Sequence, residues 1–151
     1  MRPALRVVLA VMAAVTVGCS SATPKAAAPS PTQTGFAGWF NGGGHHLIDE
    51  LGADMAALTG PAKAPDQAAA CQTLSEHTTK ALAYGGMPDS DLQQHWGQVL
   101  SLLSRASSEC MQGAAQHDVV QSVSAQIDLE AAQRETGVLR EQLYRMAASS
   151  Q

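Results

Sequence analysis

Between Asp89 and Gly113 the apolar residues Leu92, Trp96, Val99, Leu103, Ala106 and Cys110 recur at alternating intervals of four and three. Only an α-helix brings residues so spaced onto one face, and a face that apolar has to be buried against another element. Asp89, directly after Pro88, is a natural N-cap, and Gly113 reads as the stop. Three further stretches show the helical period. Residues 44–59 align Leu47, Leu51, Met55 and Leu58 and end at Gly60-Pro61. Residues 66–83 align Cys71, Leu74, Thr78 and Leu82 and end at Gly85-Gly86. Residues 118–147 carry Val120, Val123, Ile127, Leu139, Leu143 and Met146, with the stripe weakening between Glu130 and Gly137. Asp118 and Gln121 resemble a capping box with Asp in the Ser/Thr place. No stretch alternates with period two, and no segment repeats. Four amphipathic helices on short loops predict an all-α fold, an up-and-down four-helix bundle over residues 38–151.

Composition narrows the function. The chain has 9 Lys and Arg against 13 Asp and Glu, a formal charge of −4. A nucleic-acid binder needs a basic face to neutralise phosphates, so that class is excluded. At 151 residues there is room for one domain, not two large ones. Abundant alanine and few aromatics favour helices that approach closely over a thin core.

The N-terminus carries an address. Arg2 and Arg6 precede an apolar run from Val7 to Val17, too short for the roughly 20 residues a membrane-spanning helix requires. A basic start before such a run matches an export signal; the alternative is a buried N-terminal helix. The run ends Thr16-Val17-Gly18-Cys19, which resembles the lipobox of bacterial lipoproteins. That resemblance implies removal of residues 1–18, a diacylglycerol on the Cys19 thiol, and further acylation, such as palmitate, at the new amine. Thr16 departs from the pattern, where an aliphatic residue is usual. Ordinary secretory cleavage after Ala22 therefore stays open as the alternative. Loss of Arg2 and Arg6 with the leader takes the charge from −4 to −6. Attraction to anionic lipid cannot hold such a chain on a membrane, whereas two or more acyl chains can.

Residues 19–37 contain Pro24, Pro29 and Pro31 and few large apolar groups, which reads as a tether between lipid and domain. Cys19 is one of three cysteines. If it carries lipid, Cys71 and Cys110 remain as one pair, each on an apolar helical stripe, in an oxidising compartment. The alternative is two buried free thiols. Pairing is demanding in register: the helix from Cys71 to Tyr84 rises about 20 Å and that from Asp89 to Cys110 about 32 Å. The Tyr84–Asp89 segment must bridge the difference of about 12 Å, which its peptide steps reach only if extended.

Candidate chemistry is sparse. His45 with Asp49 and His46 with Glu50 are i, i+4 pairs, a spacing that chelates a metal or simply supports a helix. His77 and His95 flank the second hairpin and could face each other, and His117 precedes the last helix. The Gly42-Gly43-Gly44 run before a helix could bind an anion, but lacks the Lys and spacing of a P-loop. Trp39 and Phe40 are expected in core packing; exposed, they would mark a partner or membrane contact. Met55, Met87, Met111 and Met146 do not cluster as a copper site would require. No nucleophile elbow or dinucleotide fingerprint occurs, so the expectation is a non-enzyme without cofactor.

Trp39 ahead of a Gly pair, Cys71, Pro88-Asp89, Trp96 and Cys110 are together similar to small helical lipoproteins of high-GC Gram-positive bacteria. The resemblance covers residues 39–110 and implies the fold and the location only. The expected function is that of a lipid-anchored, extracytoplasmic binding or scaffolding protein, with the membrane and an envelope protein or ligand as partners. The alternative is a Zn- or Cu-binding envelope lipoprotein using His45 and His46 with nearby carboxylates.

Overall fold

The computed structural model describes residues 35–60 and 66–149. The leader, Cys19 and most of the tether lie outside the described residues. The described chain runs through α1 (Phe36–Trp39), a wide helical turn (Phe40–Gly44), α2 (His45–Thr59), α3 (Gln67–Tyr84), α4 (Ser90–Gln116) and α5 (Val119–Ser149). Helix thus begins at Phe36, just inside the stretch read as tether.

Three of the long helices start for a local reason. Asp66 caps α3 by accepting from the Ala69 N–H, and Asp89 caps α4 by accepting from Asp91 and Leu92. Asp118 accepts from Val120 and Gln121 at the start of α5. Each satisfies N–H groups that have no partner within the helix. Gly85, with φ 103°, ends α3 as its glycine predicts. Gly113 does not end α4. The helix continues to Gln116 and is closed by His117 in the left-handed region at φ 53°. Gly113 instead lies against the start of α5: a Cβ there would press on Ser122 and the Asp118 carbonyl.

α2 to α5 form an up-and-down bundle in which α2 packs on α3 and α5, and α4 on α3 and α5. Polar pairs at the rims show that neighbours run antiparallel. Glu50–Lys80 and Asp54–His77 join α2 to α3; Arg105–Asp128 and His95–Glu135 join α4 to α5. The core holds every residue expected of α2 and α4, from Leu47 through Leu58 and from Leu92 through Cys110. Cys71 and Cys110 meet with Cα atoms 5.7 Å apart and are joined as a disulfide between α3 and α4. The Gly85–Asp89 segment makes no hydrogen-bonded turn and tucks Met87 into the core, which gives it the reach the pairing needs.

Two stripes differ from expectation. In α3 the buried position is Ala81, while Leu82 is 56% exposed. In α5 the core face is Ala125, Leu129, Ala132, Thr136 and Leu139, spaced four, three, four and three. Val120 and Ile127, read as core, are 73% and 60% exposed, and Val123 is exposed as well. The cause is close packing. α5 lies so near α4 that alanines fill the seam, and the bulkier β-branched residues are turned out. α2 also ends at Thr59, whose hydroxyl accepts from Gln133, so nothing of α2 lies over α5 ahead of that point.

Candidate functional site

The site is built where the chain enters the bundle. Trp39 is buried across the end of the core, edge-on to Trp96 and Tyr84 with ring centroids 5.8 and 5.7 Å apart. The Tyr84 hydroxyl donates to the Trp39 carbonyl at 3.1 Å, so α1 is fixed to the end of α3. Such a large ring so close to the next turn leaves no space for a side chain at Gly44, where a Cβ would overlap the indole. Gly43 takes φ 130°, a conformation that residues with a Cβ seldom adopt. The glycine run therefore serves packing and the kink that leads into α2. Gly43 kinks the helical path, and the His45 N–H after the kink is already spent on the Phe40 carbonyl and not left free for an anion.

Burying Trp39 sends Phe40 to the opposite side of the turn. There it stacks obliquely with Phe36 at 5.6 Å and with His45 at 5.2 Å. His45 Nδ1 lies 2.9 Å from the Phe40 carbonyl. A carbonyl can only accept, so Nδ1 carries the proton and Nε2 is left facing outward. Phe40, His45, Ile48 and Asp49 form one wall of a groove of about 500 Å³, and Arg140, Leu143 and Tyr144 of α5 form the other. Arg140 Nη2 is 3.3 Å from Asp49 Oδ1 and bridges the two walls at one end. The size falls in the range of small-molecule sites, and the lining combines aromatic surface with a few polar groups.

Apart from His45 and His46, whose ring centroids lie 6.4 Å apart, the histidines are dispersed. His46 Nε2 lies 3.2 Å from Glu50 Oε1, as the i, i+4 spacing predicts. His45 does not pair with Asp49, which faces Arg140 instead. His77 and His95 do not face each other. His77 bonds Asp54 on α2 at 2.7 Å, and His95 bonds Glu135 on α5 at 2.9 Å. Among the described residues no three His, Cys, Asp or Glu side chains gather to hold a metal. Glu50 is already committed to Lys80, at 2.9 Å, and that hydrogen bond holds its carboxyl below the ordinary 4.5. Partial desolvation opposes the shift, while the charges of Lys80, His46 and His77 add to it. The Arg105 guanidinium is pushed up by its two hydrogen bonds to Asp128.

Of the residues singled out by sequence, Cys71 and Cys110 meet, Trp39 enters the core, and Phe40 and His45 line the groove. Arg140 and Tyr144 were not foreseen. Their signal is the Arg140, Leu143, Tyr144 spacing, which sets a cation and two apolar groups on one helical face. No family model, curated protein or solved structure matches the chain.

Proposed function

We propose that the protein is a lipid-anchored binding module on the extracytoplasmic face of the cell envelope. Acyl chains on Cys19 hold it, residues 19–35 space it from the membrane, and the α2–α5 groove takes the ligand. The observation that carries the reading is the groove itself. It places Phe40, Leu143 and Tyr144 around a cation and a carboxylate at an opening of about 500 Å³. Apolar walls supply affinity by burial, and the polar pair at one end supplies orientation. The anchoring part rests on Gly18-Cys19 after the apolar run.

The test blocks the groove while leaving the bundle. Leu143 lies at the margin of the core, so Leu143→Arg fills the opening without emptying the interior. Wild type and variant, with equal melting temperatures, are incubated with a small-molecule extract of the cell envelope. Compounds retained by wild type and lost with Leu143→Arg are the expected result. Equal retention by both would show that the groove is not where the protein binds.

A further inference from the structure

Arg140 is the one element of the groove whose capacity greatly exceeds its use. A guanidinium carries five N–H donors in a planar fork. Its protein acceptor among the described residues is Asp49, through Nη2 alone at 3.3 Å. Both partners are open to solvent, at 45% and 69% exposure. A single long contact between exposed groups contributes little. A carboxylate meeting the fork through both oxygens makes two charge-assisted hydrogen bonds instead. Beside the fork lie the flat surfaces of Phe40 and His45, 5.2 Å apart between centroids, with Tyr144 across the opening.

We infer that the groove binds a small organic monocarboxylate with a planar apolar body, its carboxylate on Arg140 and its body between the Phe40–His45 wall and Tyr144. The charge must be single. One guanidinium is available there, and Asp49 stands beside it, so the second charge of a phosphate dianion would be left with no cation of its own and a carboxylate for a neighbour. Asp49 acts as a gate on the cation, released when ligand displaces it. The ligand class rests on the groove being the binding site proposed above.

The full oxidised chain is titrated at neutral pH with 2-naphthoate and with its uncharged counterpart 2-naphthamide, by calorimetry and by chemical-shift changes. Naphthoate is expected to bind at least tenfold more tightly than the amide. Arg140→Gln should remove that difference by weakening the acid alone. Asp49→Asn should strengthen naphthoate severalfold and leave the amide unchanged, a gain of affinity that damage to the fold would not give. Equal binding of acid and amide to wild type overturns the ligand class and leaves the groove reading in place. Binding of the uncharged amide that is indifferent to Leu143→Arg overturns the groove reading as well, and no binding of naphthoate at millimolar concentration overturns the inference.

Discussion

His117 holds a left-handed conformation with its side chain in solvent, where nothing compensates the strain of a Cβ. His117→Gly is expected to stabilise the protein by about 0.5–1 kcal/mol, since glycine is the natural residue at this helix end. Thermal melts should show a rise of a few degrees; a fall would mean that the imidazole contributes a contact of its own. Glu50 is a second case in which one side chain sets a measurable property. Its folded carboxyl is held below 4.5 by Lys80. The stability it contributes is therefore complete above the unfolded value and disappears as pH falls through the lower folded one. Lys80→Gln should melt slightly below wild type at pH 7, by less than about 1 kcal/mol for so exposed a pair, and the two should coincide near pH 2. A difference that persists at pH 2 would assign the effect to packing of the Lys80 stem. At this scale the sequence was legible where a residue acts through its own backbone. The Asp89 and Asp118 caps and the Gly85 stop were readable, whereas the roles of Gly44 and Gly113 depend on Trp39 and Ser122 arriving from elsewhere.

Among the elements, α5 departs most from its expected face. Its stripe was read from the largest apolar residues, yet the interior takes Ala125, Ala132 and Thr136 and leaves Val120 and Ile127 outside. This makes a sharp mutational contrast. Ile127→Ala should change stability by no more than about 0.5 kcal/mol, as for other surface positions. Leu139→Ala, at a residue with no exposure, should cost about 2–5 kcal/mol. Comparable losses in urea denaturation at both positions would restore the original stripe. The core face of α4 was legible because its stripe is apolar throughout and the helix is covered on two sides, by α3 and α5. In α5 hydrophobicity and burial diverge, because the width of the α4–α5 seam, not side-chain polarity, selects what fits.

For the molecule as a whole, the Cys71–Cys110 bridge spans a separation of 39 residues and ties the middle pair of helices. Reduction should remove up to about 4 kcal/mol on the chain-entropy account, lowering the melting temperature by ten degrees or more. An unchanged melt after complete thiol labelling would mean that packing alone holds α3 to α4. Cys19→Ser should release the protein from the membrane fraction with its melting behaviour unchanged, because it removes the proposed acyl site and leaves the sequence of the bundle as it is. Continued sedimentation with membranes would exclude Cys19 as the anchor. Among the described residues no helix is long and apolar enough to cross a membrane. By itself the sequence determined the helical class, the number of long helices and most of their ends. Each follows from periodicity or capping chemistry, which act within a few residues. Only the tertiary structure decided which face of α5 turns inward, where Trp39 goes, and that Arg140 stands across from Phe40 and His45. Those outcomes depend on how closely two helices approach and on the level at which one ends beside another. Such distances are set jointly by side chains remote in the chain and leave no periodic trace in any one segment.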